Sequence, residues 1–292
     1  MPLFVAPFSI TIWGKSTLLS TDIVSGGILT LIAPLTIKGV PQAGKKPEII
    51  GSIKLGEGTD SFTAQGIVFN GKEKAMGNAI EVAGKINNAS IILRSCDIIS
   101  YNKSAYYHGT EYSATVNLLS VNACTVSEMG TGQGIFDIRK DSYSTVLIEN
   151  STISNGGRDF LRADAGRVTN SLAVRNNTFA STGLGAGNGL LWVRSTPNSY
   201  VVANNLFLNE TGAEGTKTLL AKTGATKAEM SNNHFFNCDA ANFWTGTYVQ
   251  EEGTANGGSV LEADPCENSA EFKLTITNQA LKDAKVGDPR WR

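Results

Sequence analysis

Residues 176–181, NNTFAS, 204–209, NNLFLN, and 232–237, NNHFFN, are three versions of one phrase: paired asparagines, a short strand centred on phenylalanine, and a small or polar residue to turn the chain. Working outward, weaker copies appear at 150–155 (NSTISN), 123–128 (ACTVSE), 95–100 (SCDIIS) and 66–71 (GIVFNG). Their central residues are Phe69, Ile98, Val126, Ile153, Phe179, Phe207 and Phe235, separated by 26 to 29 residues. No helix-length periodicity lies between them. A repeat of that length, made of short alternating segments, is what one turn of a parallel β-helix requires: about three short strands and their turns. The expected fold is therefore all-β, a single-stranded parallel β-helix of about 26–29 residues per coil. General crossover chirality makes it right-handed.

Stacked coils lie about 4.8 Å apart, so equivalent residues form columns. With the anchors inward, alternation also places Cys96, Cys124, Ser151, Asn177, Asn205 and Asn233 inside, two residues earlier. The last three read as an interior asparagine ladder, because buried amides must be hydrogen-bonded. Cys96 and Cys124 read as stacked buried thiols, with a disulfide as the alternative. The five N-x-S/T triplets, at Asn88, Asn102, Asn150, Asn176 and Asn209, are by-products of turn chemistry.

The chain has 292 residues, 25 Lys plus Arg against 26 Asp plus Glu, and 31 glycines. With no basic surplus to neutralise a phosphate backbone, nucleic acid is not an expected partner. Two histidines, His108 and His234, exclude a His-rich metal cluster. The most apolar stretch, Ile23 to Ile37, contains Gly26, Gly27 and Pro34 and is too short to cross a bilayer. Met1 to Trp13 reads as the first structural element rather than a leader. The division expected is one domain over 1–292: an N-terminal coil and cap (1–60), regular coils (61–240), and a C-terminal coil and cap (241–292) that shields open strand edges. A monomer is the expected state.

The opening LTIKGVPQAGKKPEIIG, the central GGRDFLRADAG, the NNTF, NNLF and NNHFFN repeats and the closing VGDPRWR resemble the parallel β-helix proteins of the pectate lyase and chondroitinase B superfamily. More narrowly, they resemble a β-helix family from polysaccharide-utilisation loci of gut Bacteroidetes. The resemblance implies an extracellular or outer-membrane surface protein that handles carbohydrate. Relatives look like lipoproteins with further N-terminal domains, so this chain reads as a fragment of such a protein.

The strand before each anchored strand reads FDIRKD (136–141), DFLRAD (159–164), LWVRST (191–196) and LLAKTG (219–224). Aligned on the cation, these give an outward column of Arg139, Arg162, Arg194 and Lys222, flanked by the aromatics Phe160 and Trp192. Stacked cations beside exposed rings suit a groove for an acidic, uronate-containing polysaccharide, because guanidinium binds carboxylate bidentately and rings meet sugar faces. The alternative is a solvated charge ladder relieved by Asp141 and Asp164.

A polysaccharide lyase is the second functional reading. It would draw its base from Lys140, Arg158, Arg162 or Arg167, and Asp141 and Asp164, with Asp137 or Asp159, would hold calcium. A hydrolase has the least support. His108, in SAYYHGTEY, is expected in a loop over the groove, and His234 on an outward strand position.

Overall fold

The computed structural model describes residues 10–12, 17–19, 23–163, 167–183, 190–210, 220–221, 228–238, 261–270 and 273–292. It is a parallel β-solenoid of about 7 turns. Three faces run along it. A long-strand face forms a nine-stranded sheet that includes Ile86–Arg94, Ala114–Asn122 and Ser142–Glu149. An anchored face carries the repeated phrase. A third, basic face is formed by Ile80–Val82, Tyr106–His108, Phe136–Ile138, Leu161–Ala163, Leu191–Val193 and Leu220–Ala221. Glu48–Leu55 serves both of the last two faces, pairing Ile49 with Phe69 and Ile53 with Ile80.

The anchors stack as the repeat predicts: Phe69, Ile98, Val126, Ile153, Phe179, Phe207 and Phe235 are successive Cα partners. All are buried. What keeps the spacing constant is a one-residue turn ahead of each strand. Ser95, Ala123, Asn150, Asn176, Asn204 and Asn232 all sit there with φ of 52 to 56. This left-handed region costs most L-residues energy but is tolerated by asparagine. It accounts for two of the N-x-S/T triplets, and Asn88 and Asn209 also have positive φ.

Inside, the expected ladder is present and fully bonded. Asn177 Nδ2 donates to Asn205 Oδ1 and to the Ile148 carbonyl, and Asn205 Nδ2 donates to Asn233 Oδ1 and the Val174 carbonyl. Each Oδ1 also accepts the backbone N–H of the preceding coil's member, so Ser151 N reaches Asn177 and Asn177 N reaches Asn205. Cys96 and Cys124 are free thiols in the same column, donating to the Ala64 and Leu93 carbonyls. Burial holds the Cys124 thiol well above its ordinary pKa.

The described C-terminal tail lies along the side of the stack, as a strap over the anchored face. Asn232 Nδ2 donates to the Ala284 carbonyl and Gly287 N to the Asn204 carbonyl. The Asp288 carboxylate accepts from Thr152 Oγ1 at 2.7 Å while its N–H reaches Thr178 Oγ1. Arg290 pairs with Asp288 and donates to the carbonyls of Ala123 and Cys124. The strap thus ties together five successive coils. Its approach needs Gly287, whose φ is +78 and where a Cβ would lie 2.6 Å from Ile276 and 2.9 Å from Thr178 Oγ1. Outward Leu206 and Leu208 explain the docking: with Ala180 they pack under Ile276, Leu281 and Val286 as a second apolar cluster.

Residues 239–260, where the C-terminal coil and cap were expected to begin, lie outside the described residues. Among the described residues no helix is long and apolar enough to cross a membrane.

Candidate functional site

The basic face is positioned by its buried residues. Phe136 and Ile138 partner Leu161 and Ala163, which partner Leu191 and Val193, all inward. The outward residue between each pair is therefore fixed, and the column reads Lys54, Glu81, Tyr107, Asp137, Arg162, Trp192. This corrects the expected alignment on the cations. Arg162 stands over Asp137 rather than Arg139, a slip of two residues, because the interior pairs set register and the exposed cations do not. Arg139 and Arg194 instead follow the ends of their strands, their N–H groups donating to the carbonyls of His108 and Ala163.

Arginines nonetheless converge on this face. The guanidinium carbons of Arg162, Arg194 and Arg158 lie 4.6, 5.4 and 5.9 Å from the centre of the Trp192 ring. Arg139 lies 5.5 Å from the Tyr107 ring. Two of the four are held by fully buried carboxylates. Arg139 makes a two-pronged pair with Asp137, Nε to Oδ1 at 2.9 Å and Nη2 to Oδ2 at 2.7 Å. Arg158 Nε bonds Asp159 Oδ2 at 2.8 Å. Such contacts fix guanidinium planes in place, and a cation held over an indole gains about 0.5–2 kcal/mol depending on desolvation. The result is a compact, pre-oriented group of four cations.

Residues 22–156 match a family model described as Domain of unknown function (DUF4957). The matched stretch contains Tyr107, Asp137 and Arg139 and ends before Arg158, Arg162 and Trp192, so the arginine group straddles its boundary. No curated protein and no solved structure matches the chain.

Phe160 is not on this surface. It is 1% exposed and belongs to an interior aromatic column, its ring 5.6 Å from Phe136 and 4.7 Å from Phe179. Trp192 is outward but only 8% exposed, so it supports guanidinium groups and does not present an open face to a sugar. Lys140 Nζ reaches the Thr110 carbonyl at 3.2 Å. Asp141 occupies a left-handed turn and accepts from Ala114 N, which ties it to the start of the preceding coil's long strand. Arg167 opens the strand Arg167–Arg175. Asp164 and Lys222 lie outside the described residues.

Of the carboxylates expected to hold calcium, Asp137 is bonded to Arg139, Asp159 to Arg158 and Asp141 to a backbone N–H. Among the described residues, no three His, Cys, Asp or Glu side chains gather closely enough to share an ion.

His108 also departs from expectation. It is a strand residue pointing into the core, the third position of Tyr106–His108, with alternating burial. Its Nε2 donates to the Tyr112 carbonyl, which makes Nδ1 the acceptor for Tyr143 O–H; Tyr143 in turn accepts from Tyr106 O–H. Burial lowers the His108 pKa and raises those of Tyr106 and Tyr143. His234 is half-buried on an outward strand position, as expected.

Sequence reading missed the support roles of Tyr107 and Asp159. The signal available was the alternation itself. YYH, FDI, LRA and LWV align on their buried outer letters and leave Tyr107, Asp137, Arg162 and Trp192 as the outward column.

Proposed function

We propose that the protein binds an acidic, uronate-containing polysaccharide on the basic face, through Arg139, Arg158, Arg162 and Arg194, as a non-catalytic glycan-binding protein of a bacterial cell surface. The observation that carries the reading is the gathering of three guanidinium groups around the single Trp192 ring, with a fourth on Tyr107, three coils back in the same column. A guanidinium carries five N–H donors in a planar fork that matches the two oxygens of a carboxylate. The resemblance to pectate lyase-like β-helix proteins supports a carbohydrate ligand, and surface location follows from the same resemblance.

Binding without cleavage is preferred because two of the four candidate bases already have structural partners: Lys140 a loop carbonyl and Arg158 the Asp159 carboxylate. The test is affinity electrophoresis through gels containing pectin, alginate or glycosaminoglycan, with parallel measurement of the ultraviolet absorbance of unsaturated elimination products. Retardation without new absorbance supports the reading. Appearance of the unsaturated product makes the protein a lyase, and migration unaffected by all three polymers removes the basic face as a glycan site.

A further inference from the structure

Away from the basic face, a cavity of about 260 Å³ opens between the far edge of the anchored face and the C-terminal hairpin of Cys266–Ala270 and Lys273–Ile276. Its lining mixes the apolar side chains Ala180, Leu208 and Leu274 with the hydroxyls and amides of Ser154, Asn155, Ser181 and Asn209. Asp264 supplies one carboxylate on the hairpin side, fixed by accepting Cys266 N at 3.0 Å. The Cys266 thiol, pushed up to about 12 by burial and by the Asp264 charge, lines the wall as a neutral group.

The polar part of the lining is an ordered array. Asn155, Ser181 and Asn209 are the left-handed residues that end successive anchored strands, with φ of 52, 53 and 56, so coil stacking sets their spacing at about 4.8 Å. Asn237 Nδ2 donates to Asn209 Oδ1 at 2.7 Å. That bond fixes the plane of the Asn209 amide beside the cavity.

We propose that this cavity is a second carbohydrate subsite, built for one uncharged pyranose ring and distinct from the basic face. Three features select that ligand. The volume falls just below the roughly 300–1,000 Å³ of pockets that take drug-sized molecules, which suits a single ring. Apolar side chains beside hydroxyls and amides in one lining match a sugar's C–H face and its hydroxyl edge. Among the described lining residues none is a cation, and Asp264 would repel a uronate or sulfate while accepting hydrogen bonds from neighbouring hydroxyls.

The test follows the side-chain amide resonances of Asn155 and Asn209 while the protein is titrated with methyl glucoside, methyl galactoside and methyl mannoside, with galacturonate as the charged comparison. At least one neutral glycoside should shift both amide pairs saturably, with a Kd of roughly 1–10 mM for so open a site. Galacturonate should bind at least about fivefold more weakly. Asn155→Asp, which keeps a residue that tolerates the left-handed turn but removes the donor, should weaken the neutral sugar about fivefold to tenfold. Arg162→Ala should leave this titration unchanged while reducing retardation in acidic gels, so that the two sites fail or stand separately. Absence of saturable shifts with every neutral glycoside, or equal binding of galacturonate, overturns the proposal.

Discussion

The anchored face and the basic face are both built mostly from short strands, yet one is regular and the other is not. On the anchored face a single left-handed residue leads into each strand, and Thr125, Thr152 and Thr178 stack in register under the strap. On the basic face the connecting turns vary in length: Leu161 follows its partner Phe136 after 25 residues, but Leu191 follows Leu161 after 30. Regularity marks the face that holds the solenoid together, and the variable turns deliver the charged groups. Structural substitutions should therefore act through the first face and ligand effects through the second.

The largest effect is expected at Asn205, the centre of the interior ladder. Asn205→Ala leaves the backbone N–H and Nδ2 of Asn177 and the Val174 carbonyl without their partner inside the core. At about 1–3 kcal/mol for each buried group left unsatisfied, the loss is roughly 4 kcal/mol or more. Because coils interact mainly with neighbours, hydrogen exchange should accelerate around Asn177 to Asn233 more than around Phe69. Uniform or negligible acceleration would mean that the ladder does not carry the coil-to-coil coupling.

Next is the strap. Asp288 is fully buried and joins Thr152, Arg290 and the Arg290 N–H. Removing one member of such a pair typically costs about 3–5 kcal/mol, and the low end applies here because Arg290 retains some solvent. Asp288→Ala should thus lower stability by about 3 kcal/mol in urea unfolding and expose the Leu206–Leu208 patch to a hydrophobic dye. Retained stability in that variant would make the strap an ornament of the anchored face.

On the basic face the expected effect falls on binding and not on folding. Arg162 sits closest to Trp192, and Arg162→Ala should weaken retention on an acidic polysaccharide by about tenfold, the equivalent of roughly 1.4 kcal/mol, with unchanged unfolding. Loss of stability with unchanged retention would exchange the roles of the two faces.

The same contrast explains what the sequence disclosed. Phe179, Phe207 and Phe235 announce the fold because constant turns keep them in phase, and Asn177, Asn205 and Asn233 announce the ladder for the same reason. Arg139, Arg162 and Arg194 could be found as a group, but their register could not be taken from the cations: the lengths of the intervening turns differ, and the buried neighbours Phe136, Leu161 and Leu191 are the true markers. Phe160 misled because it lies at a corner beside Leu161, where two consecutive residues face inward and strict alternation fails. The strap was hidden for another reason: docking of VGDPRWR depends on contacts across more than 100 residues of chain, such as Thr178 with Asp288, which no local pattern encodes.

The smallest effect sharpens the comparison through pH, since each face holds one histidine. His108 lies beneath the basic face and His234 on the anchored one; burial lowers both pKa values. At His108 the Tyr112 carbonyl and Asp141 oppose that shift, Lys140 adds to it, and the neutral ring is bonded to Tyr143. In the unfolded chain histidine titrates near about 6.5. Below that pH the unfolded state binds a proton that the folded state resists, so stability is full above it and declines as pH falls toward the folded value. His108→Gln should flatten the stability curve between about pH 5 and 7 more than His234→Gln, because His108 has no solvent exposure and its Nδ1 must stop accepting from Tyr143 to take a proton. Equal flattening by both variants would show that the Tyr106–Tyr143–His108 chain rearranges without cost, and that the floor of the basic face is as adaptable as its rim.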